Sequence, residues 1–224
     1  MNEIEKILKD FNSMTPEEMA AHDAQVEERI KAQELCDAYE RYKTSGAPER
    51  YWHESVETYR VSSEMQNKAL QSARAYIDAV KCGEFKSLVM IGNAGTGKTH
   101  LACGIVRACG GKYRTAPDIV EELRRAKSFS ASETEAKIIA YYGHVSFLVI
   151  DEIGRGINAT AEKYMIYQIL NARYNTRKPT VLISNHKKAE FLQYIGVAAA
   201  DRLVESAEMI EMNGESYRRE LRAK

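Results

Sequence analysis

Short apolar runs and segments of helical periodicity alternate along most of this 224-residue chain. Ser87–Ile91 is a continuous apolar run that is too short for a helix, and a strand buried on both faces of a sheet has this character. Similar runs follow it. The predicted strands are Ser87–Ile91, Lys112–Ala116, Phe147–Ile150, Thr180–Ser184 and, with a more mixed composition, Glu208–Met212.

Helical patterns separate these strands. They cover Thr99–Cys109, Asp118–Lys127, Glu133–Tyr142, Ala159–Asn175 and Val197–Ser206, and a further helix over Ser62–Val80 precedes the first strand. Regular alternation of strand and helix is typical of an α/β domain in which helices cover both faces of a parallel sheet. The pattern therefore predicts a five-stranded parallel sheet between helices.

The first 46 residues form a separate region with a helical pattern throughout. Thr15 and Pro16 suit the cap and the first position of a helix, and Glu18 stands where a capping box needs a carboxylate. Thr44–Pro48 ends the pattern. We predict a helical arm over residues 1–46 and a larger domain over residues 47–224. The arm is either a solvated or flexible helical segment or a docking module for a partner protein.

The charge distribution follows the same division. Lysine plus arginine and aspartate plus glutamate both number 32, so the net charge is zero. Residues 1–46 carry 6 basic and 11 acidic side chains, which makes the arm acidic and the rest of the chain basic. The zero net charge argues against coating nucleic acid through bulk charge, whereas a basic body permits contact with it.

Cysteine spacing and hydropathy further restrict the class of protein to which this chain can belong. The four cysteines form no CxxC pair and have no metal-ligand spacing. No apolar run reaches the ~18 residues of a membrane span, and the charged N-terminus differs from a signal peptide. These features predict a reduced, cytoplasmic protein without a membrane span.

Gly92–Thr99 matches the phosphate-binding pattern G-x-x-x-x-G-K-[ST], between a predicted strand and a predicted helix. Glycines let backbone N–H groups surround phosphate oxygens, and a helix N-terminus favours the same negative charge. Lys98 suits the β- and γ-phosphates of a nucleotide, and the Thr99 hydroxyl suits Mg²⁺. The motif predicts a site for a nucleoside triphosphate.

Asp151 and Glu152 directly follow the apolar run Phe147–Ile150. Carboxylates at the C-terminal edge of a parallel sheet face the crevice where ligands bind. Asp151 is then a candidate magnesium ligand of the Walker B kind, and Glu152 a candidate base that activates an attacking water. The chain shows no arginine-rich lid segment like that of a nucleotide kinase, so the pair favours hydrolysis of a nucleoside triphosphate.

Further polar residues stand near later strand and helix ends. Asn185 follows the strand Thr180–Ser184, where an amide can hydrogen-bond the attacking water or the γ-phosphate. An arginine near the γ-phosphate would neutralise charge in the transition state. Spacing alone leaves the choice of arginine open, and on helical spacing Arg202 suits a surface salt bridge.

Taken together, the motifs resemble the AAA+ ATPases of the bacterial DnaC/DnaI type, which load the replicative helicase. The likeness extends from Tyr51 to Arg219, and a phage or prophage loader fits the small size. The matching stretches are HESVETY (53–59), GNAGTGKTHLA (92–102), LVIDEIG (148–154), SN (184–185), DRL (201–203) and GESYR (214–218).

The resemblance implies a P-loop AAA+ core with ATP and Mg²⁺ as cofactors. The residues that it implies for ATP binding are Gly92, Asn93, Ala94, Gly95, Thr96, Gly97, Lys98, Thr99 and His100. Thr99 and Asp151 look like the metal set, and Lys98 and Glu152 like catalytic residues. Asn185 looks like sensor I and Arg218 like sensor II. Arg202 looks like an arginine finger that acts on the ATP of a neighbouring subunit.

The resemblance also implies partners. The arm would bind the hexameric replicative helicase, and the body would oligomerise on single-stranded DNA with ATP. Few residues follow Ser206, so we expect a minimal or absent lid. The basic candidates for DNA contact are Lys112 and Arg114 around Tyr113, Arg124, Arg125 and Lys127 near Phe129, and Arg155.

Two other functions stay open. One is an IstB-type transposition helper, an ATPase that grips duplex DNA and recruits a transposase. That group tends to continue with Tyr-Leu-Pro after Asp-Glu-Ile-Gly, whereas Arg155-Gly156-Ile157 follows here, which favours the loader. The other is a non-catalytic adaptor that ATP switches between affinities. Glu152 argues against it, because a pure switch needs no carboxylate that activates water.

Overall fold

The computed structural model describes residues 14–127 and 134–217, and its contacts divide the chain after Arg41 into two compact units. The first unit contains most of α1 (Pro16–Lys43), which begins with the predicted capping box. The Thr15 amide donates to the Glu18 carboxylate at 2.8 Å, and the Glu18 amide donates to the Thr15 hydroxyl at 3.3 Å. No described residue before Tyr42 is buried.

The second unit contains one sheet of five parallel strands in the order β2-β3-β4-β1-β5. The strands are β1 (Ser87–Ile91), β2 (Lys112–Thr115), β3 (Leu148–Ile153), β4 (Thr180–Ser184) and β5 (Ala207–Glu211). The helices are α2 (Glu64–Lys81), α3 (Lys98–Cys109), α4 (Ala116–Ala126), α5 (Glu135–His144), α6 (Ala159–Asn175), α7 (Lys188–Ile195) and α8 (Val197–Ser206). The predicted five-stranded parallel sheet is confirmed.

The central strands β1, β3 and β4 are buried on both faces, which explains their apolar sequences. In β1, Leu88 and Met90 belong to a core that includes residues of α2 and α3. Val89 and Ile91 belong to the core on the other face, with residues of α4 to α8. Helices therefore cover both faces of the sheet and leave its carboxyl edge to the loops.

Several predicted boundaries change for local reasons. β2 ends at Thr115 because that hydroxyl accepts the Asp118 amide at 3.2 Å and caps α4. α7 was not predicted, since only Phe191 and Ile195 are buried in its eight residues, too few to reveal a helical period. Within the described residues, no helix has the length and apolar character needed to cross a bilayer.

The segment after α1 lies along the edge strand β2. The Tyr113 amide donates to the Ser45 carbonyl at 2.9 Å, and Lys112 Nζ donates to the Thr44 carbonyl at 2.9 Å. Gly46 has a φ of +95°, and a Cβ there would lie 1.9 Å from Arg114 Nη1. This segment therefore packs with the sheet, and the division after Arg41 lies just before the boundary predicted at Gly46.

Candidate nucleotide-binding site

The predicted phosphate-binding loop connects β1 to α3. Gly92, Gly95 and Gly97 all have φ in the left-handed region, at +112°, +84° and +98°, and Ala94 is exposed. Space also excludes a side chain at Gly97, because a Cβ there would lie 2.5 Å from the Tyr59 ring. These conformations favour glycine. They form the tight turn into the N-terminus of α3, where backbone N–H groups favour anions.

Lys98 begins α3 and folds its side chain back onto this loop. Nζ donates to the carbonyl oxygens of Gly92 at 2.8 Å and Asn93 at 2.6 Å. The residue is only 5% exposed although it carries a charge. A buried ammonium gains strongly from an anionic acceptor. The loop is therefore suited to phosphate oxygens.

The chain after β5 lies against the same loop. The Asn93 side-chain amide donates to the Asn213 carbonyl at 3.0 Å, and the Tyr217 amide donates to the Gly95 carbonyl at 3.0 Å. These bonds attach the segment to the phosphate-binding loop. The predicted sensor residue Arg218 follows Tyr217 in sequence and lies outside the described residues.

The two predicted metal ligands, Thr99 and Asp151, meet at the carboxyl edge of the sheet. The Thr99 hydroxyl donates to Asp151 Oδ2 at 2.8 Å, and the Tyr113 hydroxyl donates to the same oxygen at 2.7 Å. The Glu152 amide donates to Asp151 Oδ1 at 2.5 Å. Asp151 is 3% exposed, so these donors take the place of water around a buried carboxylate.

Tyr113 is a member of this site that the sequence interpretation missed. In the sequence it is only the aromatic residue between the basic candidates Lys112 and Arg114, and in the structure its side chain is buried. Burial and the adjacent Asp151 raise the pKa of its hydroxyl well above the ordinary range, so the hydroxyl keeps its proton and donates. A lone tyrosine in a mixed run gave no signal of this role.

A bulge in β3 changes the backbone direction at Glu152, the residue after Asp151. Ile150 pairs with Leu182 and Ile153 pairs with Ser184, so β3 has one residue more than β4 over this stretch. β3 therefore continues past Ile150, where we expected it to end. Glu152 has a φ of +58°, a conformation that costs a non-glycine residue about 1–2 kcal/mol. Bulges of this kind redirect side chains next to functional sites.

The bulge gives the two neighbouring carboxylates opposite environments. Asp151 is buried among hydroxyl and amide donors, whereas Glu152 is exposed with its carboxylate 3.7 Å from the Arg155 guanidinium. The buried carboxylate is positioned by the protein, and the exposed one stays accessible to water. This separation suits one carboxylate to hold a metal and the other to accept a proton.

Asn185 follows β4, which lies between β1 and β3. The Ser184 hydroxyl donates to the Ile153 carbonyl at 2.7 Å, and the Gly92 amide donates to the His186 carbonyl at 3.2 Å. The residues on either side of Asn185 are thus bonded to the ends of β3 and β1. Asn185 is exposed between the phosphate-binding loop and the carboxylate pair.

Glu162 is a second residue that the sequence interpretation missed. Its carboxylate is fully buried and accepts the Gly154 amide at 2.6 Å and the Gly156 amide at 3.0 Å. It thereby fixes the loop that follows Glu152. A glutamate in the first turn of the helix after a Gly-x-Gly loop is the only sequence signal, and it is weak.

His100, which the resemblance places among the ATP-binding residues, directs its ring elsewhere. Nε2 lies 2.9 Å from the Ser55 carbonyl, and the ring packs edge-on against Tyr59 with centroids 5.4 Å apart. The Tyr59 hydroxyl donates to the carbonyl of Thr96, which is buried. The His100 ring therefore holds the segment before α2 against the loop, and its backbone amide belongs to the first turn of α3.

Arg202 lies away from the other predicted site residues. Its guanidinium stands 5.5 Å from the Tyr167 ring centroid, and Nη1 donates to the Ala198 carbonyl at 2.7 Å. It lines a cleft with Ser87 and Thr180, the first residues of β1 and β4. The phosphate-binding loop follows the last residue of β1, so Arg202 and the loop lie at opposite edges of the sheet.

The basic candidates for DNA contact differ in availability. On α4, Arg124 and Arg125 both pair with Glu121, at 2.7 and 3.0 Å. The Arg155 side chain is 57% exposed beside Glu152. Phe129 lies outside the described residues. Of these three exposed arginine candidates, Arg155 is the one beside the carboxylate pair.

The donor set around Asp151 fits Mg²⁺. A threonine hydroxyl and a carboxylate are hard oxygen ligands, and Mg²⁺ is usually held by one or two such groups with waters and substrate phosphates. Within residues 14–127 and 134–217, no cluster of three or more His, Cys, Asp or Glu side chains is placed to hold a metal ion. The residues thus suit a magnesium ion shared with a nucleotide.

Comparisons with known proteins identify a family of ATP-binding proteins. Residues 20–224 match the family described as IstB-like ATP binding protein. The replicative helicase loader DnaC of Escherichia coli K12 is 31% identical over 209 residues, which are 90% of this chain and 83% of that protein. An insertion sequence ATP-binding protein of Sinorhizobium fredii, y4uH, is 30% identical over 161 residues, which are 65% of this chain and 63% of that protein.

Solved structures with a similar fold include a helicase loader. The crystal structure of a DnaC helicase loader superimposes with a TM-score of 0.65 at 23% sequence identity, covering 74% of this chain and all of that one. The sheet between helices and the phosphate-binding loop are those of an AAA+ P-loop domain. The chain therefore belongs to the IstB/DnaC family of AAA+ ATP-binding proteins.

Proposed function

We propose that this protein is a Mg²⁺-dependent ATPase that loads a replicative DNA helicase onto single-stranded DNA. The observation that carries the proposal is the joint placement of Lys98, Thr99 and Asp151 at one edge of the sheet. The similarity to DnaC supports the choice of helicase as partner.

Each residue of the site has a distinct task in hydrolysis. Lys98 and the loop amides bind the β- and γ-phosphates, and Thr99 and Asp151 hold Mg²⁺. When bound, the ion neutralises charge on the phosphate oxygens. Glu152 accepts a proton from the attacking water, and Asn185 orients that water.

Arg202 completes the site of a neighbouring subunit, because the sheet separates it from the ATP of its own chain. The test mixes Arg202→Ala protein with Glu152→Gln protein. Each variant alone should hydrolyse ATP slowly. In mixtures, a Glu152→Gln subunit supplies its Arg202 to a neighbour whose Glu152 is intact. We therefore expect the ATPase rate of a mixture to exceed the sum of the rates of the two variants. If Arg202 acts within its own chain, the ATPase rate of the mixture equals the sum of the rates of the two variants.

The arm provides the test of the helicase partner. We expect a variant without residues 1–41 to bind ATP normally and to fail in a pull-down of the host replicative helicase. The deletion stops at Arg41 because Thr44 and Ser45 are bonded to β2. Full-length Lys98→Ala protein is the control, since its arm is intact and its ATP site is not. Helicase capture by the truncated protein would refute the assignment of the arm.

A non-catalytic adaptor differs from the loader in its need for turnover. The exposed, strained Glu152 favours the loader. We expect Glu152→Gln protein to bind ATP, to stay assembled with helicase and DNA, and to stop after one round of loading onto a circular single strand. Repeated loading by this variant would favour the adaptor.

The transposition helper is the second alternative within the family, supported by the similarity to y4uH. The two functions differ in their nucleic acid. We expect ATP-dependent binding to a fluorescent single-stranded oligonucleotide to be at least tenfold tighter than to the matching duplex. The reverse preference would favour the transposition helper.

A further inference from the structure

The carboxylate of Asp151 has its orientation fixed by three donors. Oδ2 accepts hydrogen bonds from both the Thr99 and the Tyr113 hydroxyls, at 2.8 and 2.7 Å. Oδ1 accepts the Glu152 amide. Thr99 and Glu152 belong to the nucleotide site itself, whereas Tyr113 comes from the edge strand β2. Tyr113 thus reaches Asp151 from a neighbouring strand, through its side-chain hydroxyl.

The fold holds Tyr113 firmly enough to set that orientation. Its side chain is 3% exposed, and β2 is paired with β3 from Lys112 to Thr115. On the other side of β2, the Tyr113 amide donates to the Ser45 carbonyl. The backbone of Tyr113 is therefore held from both sides of the strand and its side chain is buried, and a donor held in this way can orient a metal-binding carboxylate.

We propose that Tyr113 is a positioning residue that orients Asp151 for magnesium in the ATP site. The inference rests on the proposed binding of Mg·ATP and is independent of the helicase. Outer-shell hydrogen bonds of this kind typically change metal affinity by about 10- to 100-fold. A residue that merely fills space would leave the dependence on magnesium unchanged.

The first experiment measures fluorescent ATP binding against Mg²⁺ concentration. We expect Tyr113→Phe to raise the half-saturating Mg²⁺ concentration about tenfold, with unchanged ATP affinity in EDTA. Tyr76→Phe is the matched control. Tyr76 is fully buried, and its hydroxyl donates to the Lys86 and Thr180 carbonyls at the other edge of the sheet. Equal Mg²⁺ dependence of both variants and the wild type would overturn the inference.

The second experiment repeats the titration in the Asp151→Asn background. If Tyr113 acts through Asp151, the further change Tyr113→Phe alters the Mg²⁺ dependence by less than twofold there. A tenfold effect that persists would overturn the inference. A wild-type protein that binds no Mg·ATP would instead refute the proposed function, which keeps the two failures distinguishable. Thermal melting in EDTA identifies any variant that fails to fold.

Discussion

The two edges of the sheet each contain a buried charge, but the partners of the two charges differ in kind. At the carboxyl edge, Asp151 accepts from the hydroxyls of Thr99 and Tyr113 and from the Glu152 amide. At the amino edge, Arg173 is 1% exposed and donates to three backbone carbonyls and one hydroxyl. Its acceptors are Tyr142 O, Val145 O, Pro179 O and Thr180 Oγ1.

This difference indicates that the buried charge at the carboxyl edge serves ligand binding and the one at the amino edge serves stability. The hydrogen bond between the Thr99 hydroxyl and Asp151 can be replaced by bonds from both groups to a metal ion. The charge of Asp151 is therefore available to a ligand. The carbonyls around Arg173 belong to backbone at the ends of elements and accept its hydrogen bonds as part of the fold. Burial lowers the pKa of Arg173 to about 10, which still leaves the guanidinium charged at neutral pH. Substitutions at one edge should change binding, and those at the other should change stability.

The largest expected effect lies at the amino edge. Arg173→Met leaves several buried acceptors without a donor and should lower the free energy of unfolding by about 4 kcal/mol. Urea unfolding measures this change. Arg125→Met is the control, because that side chain is exposed on α4 and its loss should cost less than about 0.5 kcal/mol. Weaker ATP binding with unchanged stability in Arg173→Met would contradict the comparison.

The next effect lies at the carboxyl edge. Lys98→Ala should weaken ATP binding about 100-fold, because it removes the positive charge of the phosphate-binding loop. The free energy of unfolding without nucleotide should change by less than about 1 kcal/mol, because the variant loses the bonds to the loop carbonyls but also avoids the cost of burying an ammonium charge. A nucleotide titration and urea unfolding measure the two quantities. A variant that unfolds readily yet keeps its ATP affinity would reverse the assignment.

A pair of glycines sharpens the comparison. Gly97 and Gly83 both have positive φ, at +98° and +80°, but a Cβ at Gly97 would meet the Tyr59 ring whereas one at Gly83 has open space. Gly83→Ala should lower the free energy of unfolding by only about 1 kcal/mol, which is the cost of a left-handed backbone conformation for alanine. Gly97→Ala should cost about 3 kcal/mol and weaken ATP binding as well. Equal costs in thermal melting would show that Tyr59 moves freely.

The smallest effect is an ion pair at the amino edge. Lys86 Nζ lies 2.9 Å from Glu208, and both side chains are about one-third exposed. Burial raises the pKa of Glu208, but hydrogen bonds from Ser72 and Lys86 outweigh it and lower the pKa below its ordinary value. The contribution to stability is therefore present above pH ~4.5 and disappears as the pH falls further.

Lys86→Met tests this pair. It should lower the free energy of unfolding by about 0.5 kcal/mol at pH 7. The difference from the wild type should be smaller at pH 3 than at pH 7, because protonation of Glu208 removes the charge that Lys86 pairs with. Urea unfolding at the two pH values measures it. A difference that is constant with pH would mean that the methylene groups of Lys86, and not its charge, contribute.

Sequence patterns predicted some elements fully and others in part. β1, β4, α6 and α8 have the predicted bounds, because each is a continuous apolar run or a helix with a clear period. The Asp151–Glu152 stretch was predicted as the end of a strand, and the bulge that separates the two environments was not. A bulge depends on how β3 pairs with β4, and neither sequence alone records that pairing.

The sequence by itself determined the order of the strands and of the helices other than α7, the phosphate-binding loop and the identity of the carboxylate pair, because these depend on residues close together in the chain. The tertiary structure decided which distant residues meet. The order β2-β3-β4-β1-β5 brings Tyr113 to Asp151 across 38 positions. It also places Arg202 at the edge opposite the loop. Parallel pairing joins strands that are far apart in sequence, so these contacts leave no local pattern.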